Sequence, residues 1–189
     1  MSVVDAFLST WARARASFGE GIPQDGGGLD HSARLEALRD EVESATPGSD
    51  WTGAGAEGYR DRNARQARAL GALADLDRRL AAEVDRSAAV VSAGRRELDA
   101  VRQWVEDAAA TVPETPAGQQ MLWPVVSKGA GEVAEIIQRS HSDLAAIAAR
   151  MRALGGRIRG TGQARALTGF RAPSAAAICG LRTPMSNRH

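Results

Sequence analysis

From Gly48 to Val112 the chain contains no proline, and no other feature constrains its fold so tightly. Proline inside an α-helix removes a hydrogen bond and clashes with the preceding turn, so its absence over such a length leaves a helix free to continue. Residues 54 to 111 can therefore run as one helix of about 58 residues, roughly 87 Å at 1.5 Å per residue. Gly55, Gly58, Gly71 and Gly94 weaken it locally, each by up to ~1 kcal/mol relative to alanine.

The pattern inside this stretch says what must cover it. Leu73, Leu80, Ser87, Gly94 and Val101 recur every seven residues, with Val84, Val91, Leu98 and Val105 on the adjoining seam. Such a stripe is the signature of coiled-coil packing, and its small members Ser87 and Gly94 predict that a neighbouring helix comes closest there. The neighbour lies in the same chain. Residues 111 to 118 carry Pro113 and Pro116 and reverse direction. Beyond them Val126, Val133, Ile137, Ser140, Leu144, Ile147, Met151 and Leu154 follow at coiled-coil spacing. Pro124 is expected to start or kink this third helix, and Gly155-Gly156 to stop it.

Upstream, Val4, Phe7, Leu8, Trp11, Arg15 and Phe18 fall at helical spacing and predict a short amphipathic helix that docks on the rest. The run from Gly19 to Gly28, with five glycines and Pro23, cannot continue it. Asp30 can cap a helix bearing Leu35, Leu38 and Val42, which Pro47-Gly48 ends. The predicted fold is all-α: an elongated antiparallel helical hairpin or bundle in which one long central helix (about 54–111) is flanked by a shorter helix and a C-terminal helix. Its organisation is an N-terminal amphipathic helix (1–18), a Gly-rich loop (19–29), the helical domain (30–156), and a basic tail (157–189) that lacks any stripe and reads as flexible.

Composition narrows the function. Only 4% of the residues are aromatic, so small side chains do most of the filling, which favours long thin helix pairs over a thick globule. Of the 24 basic residues, six arginines lie from Gly155 onward, where no acidic residue occurs; 18 basic face 23 acidic residues in the first 154, a balance of −5. An acidic body argues against a nucleic-acid platform, since duplex affinity rests on clustered Lys and Arg. Asp61 and Glu57 dilute the row Arg60, Arg62, Arg65 and Arg68, which reads as a solvated helix face. No apolar run approaches the ~20 residues of a membrane span, and no signal-peptide pattern opens the chain. Cys179 is the only cysteine and reads as a tolerated tail residue.

The search for chemistry comes back empty. His31, His141 and His189 are far apart, and no His/Cys spacing suits zinc. Gly129-Ala130-Gly131 and Gly160-Thr161-Gly162 lack the strand, helix and lysine of a phosphate loop. Ser140-His141-Ser142 sets a base beside two hydroxyls, but consecutive helical residues point about 100° apart, too divergent for a relay. No cofactor, metal or catalytic residue is expected.

Trp51 stands apart. A tryptophan in a short inter-helix turn, followed two positions later by Gly53, can lay its indole across the open end of a helical pair while the glycine permits tight reversal. Gly19-Glu20-Gly21-Ile22-Pro23, Pro47-Gly48-Ser49-Asp50-Trp51-Thr52-Gly53, Ala56-Glu57-Gly58-Tyr59 and Leu73-Ala74-Asp75-Leu76-Asp77-Arg78-Arg79-Leu80 occur in that order. Together they resemble the N-terminal region of the EspA/EspE-like family of mycobacterial ESX (type VII) secretion-associated proteins, over roughly residues 17 to 105.

The resemblance implies a non-enzymatic helical hairpin that is secreted or held at the cell envelope by a signal-peptide-independent route. It also implies contacts with the secretion machinery and pairing with a helical protein partner or a second copy. Trp51, Gly53 and Tyr59 carry over as the export and turn signature. The sequence departs from the class at two points: where larger relatives carry a Gly/Ala-rich apolar segment after the long helix, residues 119 to 140 are interrupted by Pro124, Lys128, Glu132 and Glu135, and the usual Tyr-x-x-x-Asp/Glu motif is absent, because Tyr59 is followed four residues later by Asn63. A partner chain would then supply that half of the signal. The alternative is a cytosolic coiled-coil adaptor using the same seams.

Overall fold

The computed structural model describes residues 2–168, with side chains described as far as Arg157. Its regular elements are four helices, α1 (Val3–Ser17), α2 (Ser32–Ser44), α3 (Ala54–Ala110) and α4 (Pro116–Thr168), with one 3₁₀ turn at Gly27–Leu29 before α2. The long central helix spans 57 residues, within one residue of the expected 54–111. α2 and α4 both run antiparallel to it along different lengths, and α1 lies against both α3 and α4.

Local chemistry explains each boundary. Ser2 and Asp5 form a reciprocal capping box: the Asp5 N–H donates to the Ser2 hydroxyl at 3.0 Å and the Ser2 N–H to the Asp5 carboxylate at 2.8 Å. Asp30 accepts from the Ser32 N–H at 2.9 Å at the start of α2. Gly53 precedes α3 with φ +95°, a conformation that an L side chain rarely adopts. Thr115 accepts from the Gly118 N–H at 3.1 Å after the Pro113 turn and so starts α4.

Two boundary expectations for the last helix are corrected. Pro124 lies inside α4, which already begins at Pro116; proline and the carbonyl it deprives, that of Gln120, belong to exposed residues, where water can replace the lost bond. Gly155-Gly156 does not end the helix. Neither glycine takes the positive φ of a helix-terminating cap, and α4 continues to Thr168. What was expected of the tail beyond Thr168, and of Cys179, lies outside the described residues.

The core sits where three helices meet. Phe7, Ala14, Leu98, Val101, Val105, Val133 and Ile136 form one buried cluster. Glycines let the helices close around the aromatic edge of α1. A Cβ on Gly94 would lie 2.4 Å from the Phe18 ring, and one on Gly129 would lie 2.8 Å from Val105 and 3.1 Å from Phe7. The Trp11 indole donates to the Leu98 carbonyl at 2.8 Å while the Arg102 guanidinium lies 4.7 Å above its ring. Arg95 accepts the exposed end of α1, donating to the Phe18 carbonyl at 2.7 Å.

The other half of α3 is covered differently. Ala67, Ala74 and Ala81, seven residues apart, are buried along the side of α3 that faces α2 and the Gly26 loop before it, and their small side chains allow close approach at little buried area each. Polar contacts supplement them. The Asn63 amide donates to the Val42 carbonyl at 3.1 Å, and Arg78 pairs with Glu36 across the interface. The loop before α2 is held at Gly26, whose N–H donates to Asp85 at 2.7 Å; a Cβ there would lie 2.1 Å from the Ala81 carbonyl oxygen.

Candidate interaction surfaces

The Trp51 turn is assembled by its successor helix. Trp51 and Tyr59 meet with ring centroids 5.5 Å apart at 51°, a tilted arrangement that suits the opposed charge of ring edge and face. Arg60, one residue on, donates to the Trp51 carbonyl at 2.8 Å and to the Gly48 carbonyl at 3.1 Å, clamping both arms of the turn. The Ala56 and Glu57 N–H groups donate to the Gly53 carbonyl as α3 begins. Trp51 nevertheless stays 46% exposed. The Tyr59 ring is the aromatic partner of this half-exposed indole.

Asn63, which stands where the Tyr-x-x-x-Asp/Glu pattern would have its carboxylate, is buried and spends its amide on the α2 backbone. An acidic side chain there could not donate that bond. The departure is thus built into the packing of α2 on α3.

The structure separates the seam residues into two groups. Leu98, Val101, Val105, Val133 and Ile147 are buried, while Val84, Val91, Ile137, Leu144 and Met151 are half-buried. Leu73 and Leu80 fall outside the covered part, at 38% and 36% exposure. The correction has a simple cause: α2 takes the alanine face of α3 and leaves the leucines beside it uncovered. Sequence reasoning passed over Ala67, Ala74 and Ala81, although their seven-residue spacing is as regular as that of the leucines. It also missed the buried Leu122, Ile136 and Glu83.

At the end where α3 turns into α4, Met121 and Trp123 are 68% and 62% exposed, and Trp104 lies 5.1 Å from the Lys128 ammonium. Exposed large apolar side chains therefore include Trp51 at one end of the spine and Trp104, Met121 and Trp123 towards the other, with Ile22, Leu29, Leu38, Leu73 and Leu80 between them. Exposed aromatic and methionine side chains of this kind are enriched in protein contacts. No group of three or more His, Cys, Asp or Glu side chains among the described residues could hold a metal ion, and no helix among them is long and apolar enough to cross a membrane.

Among the described residues these features define an elongated helical assembly with exposed aromatic and methionine side chains. Residues 18–100 are similar to the EspA/EspE family. The match begins at the residue that ends α1, takes in the loop, α2 and the Trp51 turn, and runs through most of α3. No curated protein and no solved structure matches the chain.

Proposed function

We propose that the chain is a non-enzymatic type VII (ESX) interaction protein, exported or held at the cell envelope without a signal peptide and acting through helix–helix contacts. The observation that carries this reading is the EspA/EspE match across a turn whose Trp51 is clamped by Arg60 and Tyr59 yet left half open. A side chain fixed in place and still exposed is organised for a partner more than for the core. Trp51, Gly53 and Tyr59 form the turn part of the export signature, and the secretion machinery is its reader.

Asn63 favours a helical partner that supplies the missing carboxylate, since this chain commits that position to α2. The test is to tag the chain in its native cell and follow it in culture filtrate and cell fractions with and without the secretion machinery, recovering partners by co-purification. Machinery-dependent export together with one helical partner is the expected result. Export unchanged by deletion of the machinery overturns the reading. Exclusive retention in the cytosol on a stable coiled-coil partner replaces it with an adaptor role.

A further inference from the structure

Near the middle of the spine the α3–α4 seam opens into a cleft of about 260 Å³ that the seam packing does not use. Four arginines line it: Arg79 and Arg86 on α3, Arg150 and Arg157 on α4. Each pair is seven residues apart, so the cations stand in two facing rows, each about 10 Å long. Between the rows the floor is apolar, made by Ala82, Ala153 and Leu154.

Glu83 is the acidic residue among those that line the cleft, and Arg86 and Arg150 already hold it. Glu83 is 5% exposed; its carboxylate accepts from Arg150 Nε at 3.0 and 2.9 Å and also from Arg86 Nη1. Glu83 thereby fixes the two guanidinium groups through one nitrogen each. Their remaining N–H groups have no partner among the described residues, nor does Arg79. A guanidinium carries five donors in a planar fork and binds carboxylates with geometric specificity. Arg79, Arg86 and Arg150 around one buried carboxylate leave a local excess of positive charge in a chain whose first 154 residues are acidic on balance. Fixed charge of one sign in a cleft attracts a counter-charge.

The shape selects the kind of counter-charge. Phosphate would use the arginines and leave the apolar floor bare. A helix with an apolar stripe flanked on both sides by carboxylates at heptad spacing would use both, its apolar residue on Ala82, Ala153 and Leu154 and its flanking acids on the two rows, as flanking charges do in coiled coils. The molecule already contains a helix held by both kinds of contact: α1 sets its aromatics against α3 and α4 and pairs Arg15 with Asp99 at 3.4 Å. Arg150, Ala153 and Arg157 fall about half a turn around α4 from Ala130, Ala134 and Ile137, beside which α1 lies, so α1 leaves the cleft open.

We propose that this four-arginine cleft is the docking site for an acidic amphipathic helix of a partner protein. The proposal deepens the interaction reading above and rests on it. The probe is a helical peptide of about three heptads made of Leu, Ala and Glu, with Glu flanking the Leu stripe, titrated into the full chain while arginine Nε–H resonances are followed by NMR. The same peptide with Lys for Glu, and inorganic phosphate, are the comparison arms.

The acidic peptide is expected to shift Arg86 and Arg150. Combining Arg79→Glu with Arg157→Glu should weaken it roughly tenfold or more with helicity and melting unchanged. Equal binding of the lysine peptide, an unaltered affinity in the doubly reversed chain, or shifts centred on Trp51 or Trp104 would overturn the proposal. Phosphate shifting the same signals at the same concentration would also overturn it, reassigning the cleft to small anions. If a native partner co-purifies equally with the doubly reversed chain, this proposal fails while the interaction reading stands; if the peptide binds but no helical partner is ever recovered, the interaction reading is what fails.

Discussion

The two halves of α3 are covered by opposite strategies. From Gly94 to Val105 it is flanked by both α1 and α4 and contributes Leu98, Val101 and Val105 to a three-helix core that aromatic rings enter. From Asn63 to Ala81 it meets α2 through alanines, supplemented by Asn63, Arg78 and the Gly26 contact. Stability follows apolar area removed from water, so the first half is the anchor and the second is held in register more by backbone-directed polar contacts than by burial. The Trp51 turn belongs to the thinly held half. A contact surface that must adapt to a partner is more naturally placed there than beside a rigid core.

The sharpest test of this contrast is to make the same change in both halves. Leu98→Ala should cost about 3–4 kcal/mol, because the residue is fully buried and the cavity cannot collapse between three helices. Leu80→Ala should cost under ~1 kcal/mol in the isolated chain, its side chain being more than a third exposed. Chemical denaturation of the two variants gives the comparison, and equal losses would show that the leucine face near Leu80 is covered in solution.

The next effect in size falls on the thin half alone. Gly26→Ala places a Cβ against the backbone of Ala81, which cannot swing aside, and so lifts the loop from α3 and breaks the Gly26–Asp85 bond. A loss of about 2 kcal/mol is expected. Hydrogen exchange should quicken in α2 and leave the amides around Leu98 protected. Equal quickening at both ends would mean that the halves unfold as one unit.

These contrasts show how much the sequence reveals. The long helix was legible because a proline-free stretch with a heptad stripe has few other solutions, and the reversal at Pro113 dictated its antiparallel neighbour. The covered face of its first half was not legible. Leu73 and Leu80 outrank Ala74 and Ala81 in hydrophobicity, yet a helix arriving from a loop pinned at Gly26 lands on the face that lets backbones approach. Local composition carries no signal of that docking direction. The pairing of Glu83 with Arg150 is equally hidden, because it joins residues far apart in sequence that become neighbours only once the α3–α4 register is set.

Trp51→Ala gives a smaller effect. The indole is half exposed and its main partner is the Tyr59 ring, so the isolated chain should lose only about 1 kcal/mol, well below the ~3 kcal/mol of a buried aromatic. A loss near the larger value would show the ring buried in solution, with the thin half thicker than its alanines suggest. If Trp51 serves a partner, the deficit should instead appear as lost co-purification.

Acid produces the smallest perturbation and acts on both halves at once. Hydrogen bonds from the Ser2 backbone N–H, and next its hydroxyl, hold the Asp5 carboxyl below the usual aspartate range; at the other end the Ser32 side chain, and next its backbone N–H, do the same for Asp30. A carboxylate whose folded pKa is depressed stabilises the fold above its unfolded pKa, and that contribution disappears as the pH falls through the folded value. Both sets of hydrogen bonds should therefore weaken below about pH 4, with the same sign. The consequences should differ. α1 is anchored beyond its first turn by Phe7 and by the Trp11–Leu98 bond, so protonated Asp5 should fray that turn and no more. α2 has no comparable buried aromatic, and loss of the Asp30–Ser32 hydrogen bond should loosen a larger part of it. Amide chemical shifts followed through an acid titration would separate the two, with Asp5→Asn and Asp30→Asn flattening their own profiles. Equal spread of acid effects through α1 and α2 would erase the distinction between an anchored half and an adaptable one.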